Sequence, residues 1–129
     1  MDAKLHRQRP KHLNLFKISQ PLPAIVSILH RISGILLFFP GIPLLLCGLQ
    51  RSLESPQGFE VLLQYLQNSA YKILLLLPVW FFLHHLCAGI RHLMLDLHLG
   101  VSLAQARTGS KLVLAAGVLL TLLTGLLLW

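Results

Sequence analysis

The sequence predicts an all-α membrane protein with three transmembrane helices, and three observations support this fold class. Apolar residues make up 55% of the 129 positions and charged residues only 12%, whereas soluble domains are about 25% charged. The apolar residues form three continuous runs, each close to the roughly 20 helical residues that cross a bilayer. These runs are rich in consecutive leucines and lack the alternation of a transmembrane strand. A water-soluble domain is therefore excluded.

The chain is expected to begin with a polar arm, residues 1–23, which lies outside the membrane. The arm has no apolar core segment, so a cleavable signal peptide is not predicted. It also lacks the length and the Ser and Arg richness of a mitochondrial import sequence, which favours the bacterial inner membrane over the mitochondrial one. Its prolines, Pro10, Pro21 and Pro23, favour an extended strap.

Residues 24–129 form the predicted membrane domain, and its spans are expected at about 24–49, 73–99 and 112–129. Between the first two spans, Ser55 and Pro56 form a helix-start signal that is followed by apolar residues at helical spacing. A short helix lying in the membrane interface is therefore expected in this loop.

Basic residues predict the orientation of the spans. They are concentrated in the arm and in the loop between the second and third spans, which carries Arg107 and Lys111. The positive-inside rule therefore predicts a cytoplasmic N-terminus, with Tyr71 and Trp129 at the outer interface. Because the net charge of +7 is distributed between apolar runs, no nucleic-acid partner is predicted.

The first two spans contain more ionisable residues than an anchor needs: His30, Arg31, His84, His85, Arg91, His92 and Asp96. An Arg or Asp at the centre of a membrane helix costs about 2.5–3.5 kcal/mol. Ionisable residues in a bilayer are functional candidates for this reason. The two cysteines, Cys47 and Cys87, are interpreted as small apolar helix residues.

Helical geometry sorts these residues into faces. At about 100° per residue, one stripe of the second span holds His85, Gly89, His92 and Asp96. A second stripe, roughly 100–140° away, holds His84, Arg91 and His98. One face of the first span holds Ser27, His30, Arg31, Gly34 and Gly41. The glycines on two of these faces would let a backbone or a flat ligand come close.

Depth in the membrane suggests a pigment. The two spans are antiparallel, so His30 and Arg31 are expected level with Arg91 and His92, and His85 about 10 Å deeper. A haem b bound by His85 would direct its propionates toward that layer. The second axial ligand must approach from the opposite face of the haem, and His30 lies at the wrong depth, so a second membrane subunit is expected to supply it.

Each assignment has a simpler alternative on spacing alone. For His85 an interhelical hydrogen bond or a polar cavity is equally compatible with the pattern. Arg31 and Arg91 could extend to the interface, and Ser27 could hydrogen-bond to its own helix. Asp96 could simply neutralise Arg91.

Two motifs resemble those of a known family. Residues 27–34, SILHRISG, and residues 85–96, HLCAGIRHLMLD, look like the signatures S-x-x-H-R-x-[ST]-G and H-x-x-x-G-x-R-H-x-x-x-D. These signatures belong to the cytochrome b subunit of succinate dehydrogenase, the larger membrane anchor of complex II. Residues 9–15, RPKHLNL, resemble the R-P-x-x-L region of the same family. The resemblance extends along nearly the whole chain.

The resemblance implies roles for particular residues, none of them catalytic. His85 matches the haem ligand, because the motif register selects it over His84, and His30, Arg31 and His92 match residues near the propionates. Ser27 and Arg31 match residues of the ubiquinone pocket. Asp96 matches an acid near the proton route to that pocket.

The resemblance also implies partners and a reaction. The chain would form a helical bundle with a smaller membrane-anchor subunit, and the two would dock an iron–sulfur subunit that carries an FAD-containing flavoprotein. Electrons would pass from succinate to ubiquinone. The chain has neither a flavin motif nor iron–sulfur cysteines, so it is not expected to oxidise succinate alone. The alternatives are an anchor of a related fumarate reductase and a small proton-coupled transporter.

Overall fold

The computed structural model describes residues 18–129, and within that range the chain is helical with short connections. The elements are α1 (Leu22–Leu36), a π-helical turn (Leu37–Gly41), α2 (Ile42–Glu54), α3 (Pro56–Gln67), α4 (Ser69–Asp96) and α5 (Leu103–Leu128). Most of the predicted arm, residues 1–17, lies outside the described residues.

Three helical stretches are long and apolar enough to cross a membrane: Leu22–Glu54, Ser69–Asp96 and Leu103–Leu128, with 33, 28 and 26 residues. The prediction of an all-α protein with three spans is therefore confirmed for the described residues. The first and third helices extend beyond the predicted apolar spans. In particular, α5 begins well before residue 112, because the Ser102 side chain caps it by accepting a hydrogen bond from the Gln105 amide at 3.4 Å.

The predicted short helix in the loop is present as α3. Its cap is Ser55, whose hydroxyl accepts a hydrogen bond from the Gly58 amide at 3.1 Å. Pro56 occupies the first position of the helix, where the missing N–H has no consequence. The sequence signal and the observed helix start therefore agree.

The interface between α4 and α5 is built on small residues of α5. The buried positions of α5 recur every three or four residues: Ser110, Val113, Gly117, Thr121 and Gly125. A Cβ on Gly117 would lie 3.4 Å from the Cα of His84, so the two backbones are close there. Small residues allow this approach in a membrane, where dispersion and close packing hold helices together.

The ends of α4 and α5 are joined by Lys72. Its Nζ donates a hydrogen bond of 2.8 Å to the Leu128 carbonyl and lies 5.3 Å from the centroid of the Trp129 ring. The start of α4 therefore meets the end of α5. Tyr71 and Trp129 thus lie at the same end of the bundle.

The apolar core is small and draws one residue from each long helix, namely Val26, Ala88 and Val113. Many large apolar side chains are exposed instead. In a bilayer this exposure is not costly, because lipid chains are as apolar as leucine. The outer surface of the bundle is therefore suited to lipid or to other membrane helices.

Candidate functional site

Helices α1 and α4 approach each other through two reciprocal pairs of glycine and histidine. A Cβ on Gly34 of α1 would lie only 3.0 Å from Cε1 of His85 on α4. In the other direction, a Cβ on Gly89 of α4 would lie 3.5 Å from Nε2 of His30 on α1. Each glycine therefore makes room for the imidazole of the other helix, whereas the sequence predicted a backbone or a flat ligand at these glycines.

The imidazole of His85 is held by α1 through one nitrogen. Its Nδ1 lies 3.1 Å from the His30 carbonyl oxygen and 3.1 Å from the Ser33 hydroxyl, which itself donates to the same carbonyl at 2.9 Å. A carbonyl oxygen can only accept, so the His85 proton belongs on Nδ1. This tautomer leaves the Nε2 lone pair available to a metal.

The His30 ring contacts the rings of two other histidines. It stacks on that of His85 with centroids 4.2 Å apart and planes 14° apart. The centroid of the His92 ring lies 5.0 Å from that of His30, and their planes are 46° apart. Three imidazoles from two helices thus form one continuous group. The expected separation of about 10 Å in depth between His30 and His85 is therefore wrong for their rings, which lie side by side.

These histidines line an open cavity of about 400 Å³, and its lining residues are His30, His85, Leu86, Gly89, Ile90, His92 and Leu93. The donor chemistry fits a haem b, since one imidazole can ligate the iron and apolar side chains can contact the ring. Leu86, Ile90 and Leu93 are about half exposed or more. The wall they form is therefore incomplete within this chain.

His84, next in sequence to the candidate ligand, faces α5. It is 1% exposed, packs against Gly117 of α5 and stacks on Trp80 with centroids 5.4 Å apart. Neither of its ring nitrogens has a hydrogen-bond partner within residues 18–129. Of the two adjacent histidines, His85 is therefore the one beside the cavity.

Arg91 departs from the sequence-based expectation. It was expected to join His92 in the layer facing the cofactor edge, with extension to the interface as the alternative. It is instead only 9% exposed, donates from Nη2 to the Ala106 carbonyl at 3.3 Å and packs against Gly109 of α5. One residue rotates a side chain by about 100° around a helix, so Arg91 contacts α5 although it shares the depth of His92.

The remaining predicted residues lie outside the lining of the histidine cavity. On α1, Ser27 is half-buried and Arg31 is exposed, and their i, i+4 spacing places both on one face. Asp96 is the exposed last residue of α4, one turn beyond His92. The structure therefore brings together His30, His85 and His92 and leaves the other three nearer the surface.

Sequence reasoning missed Ser33 as a site residue. It is only 1% exposed, and its hydroxyl contacts the imidazole of His85 across the helix interface. One signal was available, because Ser33 stands at the [ST] position of the first motif, where either residue carries a hydroxyl.

Comparison with known proteins agrees with this architecture. Residues 6–124 match the family described as "Succinate dehydrogenase/Fumarate reductase transmembrane subunit". The succinate dehydrogenase cytochrome b556 subunit of Coxiella burnetii is 36% identical over 97% of this chain and 100% of its own length. The subunit of the same name from Paracoccus denitrificans is 34% identical, over 92% of this chain and 89% of its own. For Rickettsia felis the identity is 31%, over 93% of both chains.

The matching family is described as a transmembrane subunit, and this chain has three apolar helices of spanning length, so it is a multi-pass membrane protein. The family match covers both signature motifs, the first two spans and all but the last four residues of the third span. The chain therefore belongs to the succinate dehydrogenase/fumarate reductase transmembrane subunits, among the cytochrome b subunits of succinate dehydrogenase.

Proposed function

We propose that this chain holds haem b through His85 and forms part of the ubiquinone-reduction site of a succinate dehydrogenase complex. The observation that carries the proposal is the hydrogen bond from His85 Nδ1 to the His30 carbonyl beside an open cavity. Metal-ligating histidines commonly donate their second ring N–H to a backbone carbonyl in this way. The name of the relatives, cytochrome b556, agrees with a b-type haem.

The residues around His85 have distinct tasks in this proposal. His85 would hold the haem iron through a ring nitrogen, and the bound haem would supply a one-electron redox centre. His30 and His92, which line the same cavity, offer ring nitrogens to the propionates. Arg31 adds a positive charge near them from its exposed position on α1.

The second axial ligand is proposed to come from the smaller membrane-anchor subunit. The cavity is open, and its lining residues Leu86, Ile90 and Leu93 are exposed in the isolated chain. A helix of a second subunit would cover this apolar wall and could present a ligand to the opposite face of the haem. The iron–sulfur subunit and the FAD-containing flavoprotein complete the proposed complex, in the inner membrane of a bacterium.

The quinone is proposed to bind near Ser27 and Arg31. Reduction of a quinone to a quinol needs two electrons and two protons. The Ser27 hydroxyl can donate a hydrogen bond to a quinone carbonyl, and the Arg31 guanidinium stabilises negative charge that develops on that oxygen. Ser27 and Arg31 lie one helical turn apart within α1, and Asp96 at the end of α4 is the candidate for the proton route.

The adjacent histidines provide a matched test of the haem assignment. In the purified complex, His85→Leu is expected to abolish the low-spin b-type absorbance, because the axial nitrogen is lost. His84→Phe keeps a ring against Trp80 and is expected to leave that absorbance unchanged. The measurement is haem absorbance per mole of complex, with subunit content checked by gel. A normal low-spin haem in His85→Leu would refute the assignment.

A further inference from the structure

We propose that Ser33 is a positioning residue for His85, whose hydroxyl helps to fix the proton on Nδ1 and the orientation of the imidazole. This inference rests on the proposed role of His85 as haem ligand. It adds a residue of α1 that contacts the ligand without contacting the iron.

The hydrogen bonds at Ser33 form a closed triangle. The hydroxyl donates to the His30 carbonyl at 2.9 Å, and its oxygen lies 3.1 Å from Nδ1 of His85. Nδ1 in turn lies 3.1 Å from the same carbonyl. With the hydroxyl proton directed to the carbonyl, the Ser33 oxygen keeps its lone pairs for the Nδ1 proton. Both contacts therefore favour the same tautomer of His85.

The hydrogen bond from Ser33 to the His30 carbonyl within α1 does not by itself explain why a serine occupies this position. Serines inside helices often donate to a carbonyl three or four residues earlier, and this local bond satisfies the hydroxyl without any partner. Ser110 of α5 shows that simple case, since it is fully buried and donates to the Ala106 carbonyl at 2.7 Å. Ser33 differs because its oxygen also contacts a histidine that is 52 positions away in the sequence.

Gly34 restricts the same ring from a second direction. Its Cα faces Cε1 of His85 so closely that a Cβ would lie 3.0 Å away. The imidazole is thus hydrogen-bonded at Nδ1 and packed at the neighbouring carbon. A ring held at adjacent atoms has little freedom to rotate about its Cβ–Cγ bond.

A hydrogen bond donated by Nδ1–H makes an imidazole a stronger electron donor at Nε2. Stronger donation favours the oxidised form of a bound iron, so weakening the bond should raise the midpoint potential of the haem. The His30 carbonyl remains when Ser33 is removed, so the effect should fall at the low end of the 10–100-fold range known for such outer partners. A tenfold loss of affinity for the haem, confined to its oxidised form, corresponds to a rise of about 59 mV in the midpoint potential of a one-electron couple.

The test uses redox titration of the haem in the purified complex. Ser33→Ala is expected to raise the midpoint potential and to speed haem loss by roughly tenfold. Ser33→Thr retains a hydroxyl and should restore both values. Ser110→Ala removes an equally buried serine that has only a local bond, so it should change neither value. An unchanged potential in Ser33→Ala, or the same shift in Ser33→Thr as in Ser33→Ala, would overturn the inference.

Two further variants keep the outcome interpretable. If Ser33→Ala does not assemble, Ser33→Cys replaces it, since a thiol has a similar size but accepts hydrogen bonds weakly. A raised potential is again expected, and an unchanged one counts against the inference. His85→Leu separates the two proposals. If it loses haem while the Ser33 variants match the parent, only the role of Ser33 fails. If it keeps low-spin haem, the proposed function itself fails.

Discussion

Gly34→Ala tests the geometry of the site with a single methyl group. The new Cβ would start 3.0 Å from Cε1 of His85, whereas carbon atoms pack best at about 3.5–4.0 Å. The imidazole therefore has to move away from α1 by about half an ångström. The two acceptors of Nδ1 also belong to α1, so their distances of 3.1 Å lengthen in the same motion. At about 3.6 Å the contact no longer counts as a hydrogen bond.

The energetic terms oppose each other in this variant. Alanine gains about 0.8–1.0 kcal/mol over glycine in helix propensity, and overpacking costs about 1–3 kcal/mol. We expect a complex destabilised by up to about 2 kcal/mol with markedly reduced haem. Gly48→Ala is the control, because a Cβ there meets nothing within 4 Å and only the propensity gain applies. The assays are haem absorbance per complex and thermal denaturation in detergent. Parental haem content and stability in Gly34→Ala would refute the reasoning.

Four other substitutions address three separate parts of the molecule. His84→Phe removes two buried nitrogens that lack partners within residues 18–129. Thermal denaturation is therefore expected to show unchanged stability or a gain of about 1–3 kcal/mol. A clear loss of stability would mean that His84 has a partner in the complex. Ser27→Ala and Arg31→Gln should lower ubiquinone reduction while succinate oxidation by an artificial dye stays near the parental rate; equal loss of both activities would indicate an assembly role. Lys72→Met removes the hydrogen bond to the Leu128 carbonyl and should cost about 0.3–1 kcal/mol, seen as faster hydrogen exchange in the last turn of α5; unchanged exchange would contradict this.

The fold was largely predictable because each relevant signal is local in the sequence. Continuous apolar runs mark the spans, and Ser55 with Pro56 marks the start of α3. The separation of His85 from His84 follows from the helical period alone. Adjacent residues differ by about 100° around a helix, so the two histidines had to face different neighbours.

The partners of each face were less predictable. The sequence placed Arg91 at the depth of His92, but its contact with α5 depends on how closely that helix packs, and Gly109 controls this approach. The triangle at Ser33 likewise requires two helices in register. The π-helical turn Leu37–Gly41 was not predicted, although Pro40, which has no N–H to donate, was a visible reason for an irregular turn there.

Polar side chains of α4 bind both α1 and α5 through the same kind of hydrogen bond, to a backbone carbonyl of the neighbouring helix. On α1, the His30 carbonyl accepts from a serine of its own helix and from His85. On α5, the Ala106 carbonyl accepts from Ser110 of its own helix and from Arg91. A helical carbonyl has a second lone pair beyond its backbone bond, and a bilayer offers no water to satisfy buried donors. Each of the two polar stripes of α4 thus donates a hydrogen bond to a carbonyl that also accepts one from a serine. These two carbonyls pair Nδ1 of His85 and the Arg91 guanidinium without carboxylates, and Nε2 of His85, beside the open cavity, stays available to a cofactor.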